Sequence, residues 1–361
     1  MRLSTHGSSD APAGRRRTPR PGRTLKWVDP ADRACKRIEL GAFTTQRKLS
    51  HAIPTDKGNG GNYFHLIPSV RFLFADPEKR IGVIFFPMQT RYTPSGVRLQ
   101  LHSTREGPLN WLLLPGGPGL GSESLLELAD ALDVPGSIWL VDLPGDGSNT
   151  VAHSPDPFAN WPDVLIEAVD TLPEAIFVGH STGGMYLLAT PALQGRLRGL
   201  ALLDSAPNSA WHADYVAMTR RHPLPEFDLA VAAYSQQPTL EKFTAMVVAA
   251  TAWNFTPSAL TAGRKLLARL PYNIAAVTWS DTHFDHAYQA RWWPSDIPVL
   301  RLYGGSDRIV SQHGWRDPAY HTPNHIACEI AGAGHFPWIE NPEAVTQAFR
   351  DFAAEIQLHS R

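Results

Sequence analysis

One glycine-rich segment, GHSTGG at residues 179–184, limits the folds open to this chain more than any other feature. It follows an apolar run at residues 175–178 and precedes residues 185–189, whose composition is typical of a helix. The pattern G-x-S-x-G between a strand and a helix predicts a sharp turn, in which small neighbours leave room for a serine held in a strained conformation. Ser181 is therefore the predicted nucleophile, although an ordinary glycine-rich turn can have the same short pattern.

A nucleophilic serine needs a base, and the base needs an acid that orients it. Candidates for both lie near the C-terminus, each in a loop after an apolar run. Asp307 follows the predicted strand at residues 297–303, and His335 follows the predicted strand at residues 325–330. Because open α/β sheets build their sites beyond the C-terminal ends of strands, we predict Asp307 as the acid and His335 as the base. Asp204, which ends another apolar run, is a competing acid.

A second glycine-rich loop, LPGGPG at residues 114–119, follows a predicted strand. Attack on a carbonyl carbon creates a negative oxygen that needs preorganised hydrogen-bond donors, each worth about 3–4 kcal/mol. Glycines allow the backbone amides of such a loop to turn toward a substrate, whereas Pro118 has no N–H to offer. We predict an oxyanion hole formed by the N–H of Gly116 or Gly117 together with the N–H of Thr182.

The same loop has a competing interpretation as a dinucleotide-binding turn, with Asp142 about twenty residues further on as the acid that binds the ribose. Two ways of aligning that pattern put Ser122 or Ser124 where its third glycine should stand. No Gly-Lys-Ser/Thr sequence follows, which excludes a P-loop. A nucleotide-binding oxidoreductase is therefore the weaker alternative.

Apolar runs typical of short strands recur along the chain from about residue 90, and helical patterns alternate with most of them. This order predicts an α/β fold with a mostly parallel sheet and helices on both faces. The predicted strands are residues 98–102, 111–114, 137–142, 175–178, 199–203, 299–303 and 325–330.

The alternation breaks between residues 205 and 294, where a long helical pattern rich in aromatic residues predicts a cap inserted over the site. Residues 92–204 and 295–361 are then the catalytic core. Residues 1–62 are basic and rich in Pro and Gly, so we expect them to be largely disordered. Residues 63–91 contain two short strand patterns, at residues 70–74 and 81–86, which fit either the sheet edge or a separate extension.

Composition favours an enzyme with a large core, since 43% of the residues are hydrophobic and no stretch approaches the roughly 20 apolar residues of a membrane span. A net charge of -1 argues against nucleic acid as a partner. The only cysteines, Cys35 and Cys328, provide neither a disulfide framework nor a metal cluster. We expect a cytoplasmic protein whose partner is a small molecule or a short peptide, and the oligomeric state is left open.

Four motifs in this order resemble the α/β-hydrolase superfamily over about residues 92–357: LPGGPG (114–119), DLPGDGS (142–148), GHSTG (179–183) and GHFPW (334–338). The resemblance implies an α/β-hydrolase sheet with a helical cap. Within the superfamily, GGPG and GHFPW are similar to the proline iminopeptidase branch (peptidase S33), which removes N-terminal residues from short peptides. That branch usually carries GGSWG and DQRG, whereas GHSTG and DLPG in this chain look more like general esterases.

The sequence thus predicts a serine hydrolase that cleaves an ester or amide through an acyl-enzyme, without a metal or organic cofactor. Acyl transfer to another acceptor, carbon–carbon cleavage and a receptor that retains the triad are alternatives on the same fold. A prolyl aminopeptidase is a further alternative, and it would need a carboxylate to hold the substrate's ammonium group. The cap offers Asp214, Glu226, Asp228, Glu241, Asp281 and Asp285 for that role.

Overall fold

The apolar runs of the sequence come together in one sheet of nine strands within the described residues. A computed structural model describes residues 65–70, 85–154 and 156–359. The strands are β1 (His65–Val70), β2 (Phe85–Tyr92), β3 (Arg98–Thr104), β4 (Asn110–Leu114), β5 (Ser137–Asp142), β6 (Ala175–His180), β7 (Gly199–Leu203), β8 (Val299–Gly304) and β9 (His325–Ile330).

The strand order is β1-β2-β3-β5-β4-β6-β7-β8-β9, and neighbouring strands from β5 to β9 are parallel. Strands β1, β2 and β3 join antiparallel at one edge. Leu114 lies beside Gly179 and His180 lies beside Leu203, so the loops after β4, β6 and β7 begin at the same edge of the sheet. The predicted α/β fold with a mostly parallel sheet is confirmed.

Side chains alternate between the two faces of the central strands, which are buried on both sides. Trp111 and Leu113 of β4 belong to an apolar cluster on one face, while Leu112 and Leu114 belong to the cluster on the other. Helices α1 (Leu126–Ala131), α10 (Pro337–Glu340) and α11 (Pro342–His359) contribute to the first cluster. Helices α2 (Trp161–Thr171) and α3 (Thr182–Ala189) cover the second face.

A helical insert separates β7 from β8, as the break in alternation predicts. Part of its own core is aromatic, because Phe243 packs edge-on against both Tyr234 and Tyr272. The exact limits of the cap and core stay a prediction. The helices of the insert are α4 (Trp211–Arg221), α5 (Pro225–Gln236), α6 (Leu240–Ala249), α7 (Thr251–Asn254), α8 (Leu260–Arg269) and α9 (Ile274–His283).

The predicted N-terminal extension, residues 1–62, lies outside the described residues, as do residues 71–74 and 81–84 of the two short strand patterns. What the structure describes there is β1 and β2 at the sheet edge. Among the described helices, none combines the length and the apolar character that crossing a membrane requires.

Candidate active site

Ser181 occupies the tight turn between β6 and α3, with φ of 50° and ψ of -122°. This left-handed backbone is strained for a residue with a side chain. The turn closes because Gly179 and Gly184 have no side chains: a Cβ added to Gly179 would lie 2.7 Å from the Gly184 Cα. The Ser181 N–H donates to the Leu203 carbonyl at 2.8 Å, which fixes the turn to the neighbouring strand. Ser181 therefore lies in the strained strand-to-helix turn that its sequence pattern predicts.

His335 and Asp307 form a buried pair in the loops after β9 and β8. The His335 Nδ1 lies 3.0 Å from the Asp307 Oδ2, and the two side chains are only 5% and 1% exposed. The other carboxylate oxygen, Oδ1, accepts the backbone N–H groups of Ile309 at 2.8 Å and Val310 at 3.3 Å. Asp307 is therefore oriented by its own loop and can in turn orient the imidazole, which leaves Nε2 for proton transfer.

His180 joins the loop of His335 to the turn of Ser181, a contact that the sequence analysis missed. Its Nε2 donates to the His335 carbonyl at 2.9 Å, and the two rings lie 4.8 Å apart. Burial and the nearby His335 lower the pKa of His180 well below its ordinary value, so this ring is neutral. The available signal was a polar residue at the end of an otherwise apolar strand, directly before Ser181.

Asp204, the competing acid, is fully buried directly after β7 and lies close to Asp307 and His335. Its Oδ1 accepts the Gly304 N–H at 2.8 Å, whereas the structure shows no hydrogen bond from a nearby donor to its Oδ2. Asp204, Asp307 and His335 each have a side-chain atom within 4.8 Å of such atoms of the other two residues.

Among the described residues, this is the one group whose spacing would suit a metal ion. The hydrogen bond between Asp307 and His335 accounts for the proximity of those two residues without an ion. Of the two acids, Asp307 is the one bonded to the imidazole.

The predicted oxyanion loop lies directly against the serine turn. A Cβ added to Gly116 would come within 2.6 Å of the His180 carbonyl oxygen, 2.7 Å of the Ser181 Cβ and 3.2 Å of the Thr182 nitrogen. In the described loops, no backbone hydrogen bond uses the N–H of Gly116, Gly117 or Thr182. The structure thus places Gly116 beside Ser181 and Thr182, and Gly117 is the next residue of the same loop.

An acidic cluster holds the far end of this loop, and the sequence analysis missed it as well. The Asp146 carboxylate accepts the Gly119 N–H at 3.0 Å. Asp142 accepts the Ser122 N–H at 2.6 Å and its hydroxyl at 2.8 Å, and is paired with Arg98 at 2.8 Å. The DLPGDGS motif was the available signal, because both acids stand in it.

The fully buried Asp142 has its carboxylate occupied by Arg98 and Ser122. In a dinucleotide-binding site that carboxylate would instead be available to a ribose hydroxyl. The arrangement therefore does not fit the nucleotide-binding alternative.

The helical insert contacts the loop after β4 and the loop after β9. At the start of α9, the Asn273 N–H donates to the Gly119 carbonyl at 2.9 Å, and its side-chain amide donates to Gly145. At the end of α7, the Asn254 carbonyl accepts the His335 N–H at 2.8 Å. Ser181 is only 7% exposed beneath this cover. Two described surface cavities, of about 350 and 570 Å³, are lined by residues outside the triad, so they do not mark the catalytic centre.

Comparison with known proteins agrees with the geometry. This chain is 28% identical over 247 residues to the pimeloyl-(acyl-carrier protein) methyl ester esterase of Xanthomonas axonopodis pv. citri, which covers 68% of this chain and 95% of that protein. It is 29% identical over 209 residues to esterase YbfF of Escherichia coli, covering 55% of this chain and 76% of that protein.

Among solved structures, the proline iminopeptidase-related protein of Thermus thermophilus superposes with a TM-score of 0.57 at 20% identity, covering 76% of this chain and all (100%) of that one. Esterases and proline iminopeptidase-like proteins, the two groups indicated by the motifs, thus both occur among the similar proteins, and the structural likeness shows a shared fold. The model of the family described as Alpha/beta hydrolase family matches residues 111–348. The chain therefore belongs to the alpha/beta hydrolase family.

Proposed function

We propose that this protein is a serine carboxylester hydrolase that works through an acyl-enzyme. The observation that carries the proposal is the buried 3.0 Å contact between His335 and Asp307, tied by His180 to the strained turn of Ser181. A surface histidine that only stabilises the fold has no need of an oriented, buried carboxylate and an adjacent strained serine.

In the proposed reaction, Ser181 Oγ attacks the ester carbonyl while His335 Nε2 takes its proton. Asp307 keeps the imidazole in the tautomer that exposes Nε2 and stabilises the imidazolium that forms. The N–H groups of Thr182 and of Gly116 or Gly117 stabilise the negative oxygen, and the imidazolium then returns its proton to the leaving alcohol. Water, activated by the same histidine, releases the acid.

Among the carboxylates of the cap, none stands out as a site for a peptide N-terminus, which leaves an ester as the proposed substrate. An aminopeptidase needs a free carboxylate to hold an ammonium group. Four of the six candidate carboxylates already have partners, and the other two, Asp228 and Glu241, are exposed. The partnered ones are Asp214 with Ser311, Glu226 with Arg264, Asp281 with His286 and Asp285 with Ser280.

The similar proteins support the same choice, since the curated relatives carry the names of esterases. A pimeloyl methyl ester therefore joins the substrates to be tested, beside p-nitrophenyl esters of increasing chain length and N-terminal prolyl amides.

The decisive experiment is labelling with a fluorophosphonate probe followed by turnover of this panel. The wild-type chain and the variant Ser235→Ala, which removes a hydroxyl on cap helix α5, should label equally, whereas Ser181→Ala should not label. Ester turnover should disappear in Ser181→Ala alone. Equal labelling of all three proteins would contradict the assignment of Ser181, and preferential cleavage of prolyl amides would favour the aminopeptidase.

A further inference from the structure

Two carboxyl groups, those of Asp204 and Asp307, lie close to the imidazole of His335. We propose that Asp204 is protonated and donates a hydrogen bond to the Asp307 carboxylate, which makes Asp204 a positioning residue of the site. The inference rests on the proposed function in one respect, because it takes Asp307 and His335 as the working acid and base.

Asp307 is the ionised member of the two. Its oxygens meet three nitrogen donors, namely the N–H groups of Ile309 and Val310 and the Nδ1 of His335. Hydrogen bonds of this kind stabilise the charged form of a carboxyl group.

Asp204 has the opposite surroundings. It is 0% exposed, and its one backbone donor is the Gly304 N–H on Oδ1. Its Oδ2 is buried and has no nitrogen donor within reach, while the Asp307 carboxylate lies close by. Two buried carboxyl groups with atoms within 4.8 Å of each other disfavour ionisation of both, and a proton on Asp204 Oδ2 would allow an O–H···O⁻ hydrogen bond to Asp307. Burial and the charge of Asp307 hold the pKa of Asp204 well above its usual range, which agrees with this assignment.

The other charged groups facing Asp204 strengthen the argument. Glu340 of α10 also faces it, with Oε1 accepting the Thr256 N–H at 2.9 Å and Oε2 accepting the Gly334 N–H at 2.5 Å. Besides Asp204, this described group holds the carboxyl groups of Asp307 and Glu340, and His335 is its one member able to carry a positive charge. Three carboxyl groups around at most one cation favour a neutral acid at the position with the fewest donors, which is Asp204.

The backbone allows a close mimic of the protonated acid. Asp204 has φ of 45°, in the left-handed region that Asn and Asp tolerate better than other residues with side chains. Its N–H also donates to the Leu302 carbonyl at 2.9 Å, which a substitution leaves intact. In Asp204→Asn, the amide oxygen can accept the Gly304 N–H and the amide nitrogen can donate to Asp307. The variant therefore keeps both hydrogen bonds and removes the titratable proton.

The direct test is infrared difference spectroscopy of the full chain at neutral pH, which does not depend on activity. We expect the difference between the wild-type and Asp204→Asn spectra to contain a C=O stretching band of a protonated carboxyl group, whereas the difference for Asp163→Asn, a matched change at an exposed acid, should lack it. A wild-type spectrum from which the Asp204→Asn substitution removes only carboxylate bands would overturn the proposal. Because fluorophosphonate labelling reports separately on Ser181, failure of the proposed function and failure of this inference are distinguishable.

Kinetics tests the positioning role. Asp204→Asn should keep kcat/KM within about threefold and leave the acid limb of its pH profile in place, whereas Asp204→Ala, checked for folding by circular dichroism, should lose about tenfold or more in kcat. If Asp204 were ionised, Asp204→Asn would remove a negative charge near His335. The acid limb of the kcat/KM profile would then move to lower pH by about one unit or more. That displacement, or unchanged kcat in a folded Asp204→Ala, would contradict the proposal.

Discussion

Replacing Asp146 by Asn should stabilise the protein at neutral and alkaline pH while leaving its stability near pH 4 almost unchanged. Asp146 is 2% exposed and accepts the Gly119 N–H at 3.0 Å. Burial, reinforced by the charge of Asp142, raises the pKa of Asp146 from 3.8 to about 8. The folded protein therefore holds this proton more tightly than the unfolded chain does.

The sign and the size of the effect follow from that difference. The protonated carboxyl contributes its full stability below pH 3.8, and the contribution is lost as the pH rises toward about 8, because the unfolded chain releases the proton first. One pH unit corresponds to about 1.4 kcal/mol, so the free energy of unfolding can fall by up to about 5–6 kcal/mol across this window. Local relaxation and entry of water reduce the penalty of a buried charge, and we expect a measured difference of at least about 2 kcal/mol.

The assay is urea unfolding of the wild type and Asp146→Asn at intervals between about pH 4 and pH 9, with circular dichroism as the readout. The amide oxygen of Asn can still accept the Gly119 N–H, so the variant should gain stability relative to the wild type as the pH rises and reach a constant difference above about pH 8. Asp163→Asn, at an exposed position, is the matched control and should follow the wild-type curve. Parallel curves for the wild type and Asp146→Asn, or a variant destabilised at every pH, would refute the reasoning.

Three further predictions concern the loops around the site. Gly116→Ala should lower kcat by about 100-fold, because its Cβ would lie 2.7 Å from the Ser181 Cβ and displace an oxyanion donor; near-normal kcat in steady-state ester assays would contradict this. Asn273→Ala should lower the free energy of unfolding in urea by about 1–2 kcal/mol, because the Asn273 side chain caps the N-terminus of α9. Asn273→Ser keeps a capping oxygen and should lower it less; equal losses would argue against a role of this side chain as the N-cap of α9. Glu340→Gln should lower the free energy of unfolding by about 1–3 kcal/mol, because an amide group would replace the carboxylate that accepts two backbone N–H groups. An unchanged urea midpoint would show that these two hydrogen bonds contribute little to stability.

The positions of the strands along the chain and the chain order of the site residues were predictable because both depend on local patterns. Short apolar runs alternating with helical patterns indicate a mostly parallel sheet, and the strands from β3 onward begin and end within two residues of where the sequence predicts them. The turn at Ser181 was predictable for a similar reason, since a serine with small neighbours between a strand and a helix has few possible conformations.

Which residues that are distant in the chain would contact each other was less predictable. Asp204 and Asp307 both end apolar strands, and the sequence leaves both as candidate acids. Only the pairing of β7 beside β8, with the loop after β8 turning its carboxylate toward His335, distinguishes them. The roles of His180 and Asp146 depend equally on which loops meet in space.

The sequence by itself determined the class of fold, the position of the serine turn and the order in which serine, acid and base follow along the chain, because those features depend on periodicity and on residues that are neighbours in the chain. The tertiary structure decided which acid contacts the imidazole, which carboxyl groups are buried and how the helical insert contacts the loops after β4 and β9. Those outcomes depend on distances and on the loss of water around groups far apart in sequence, and both arise only when the strands and loops have packed together.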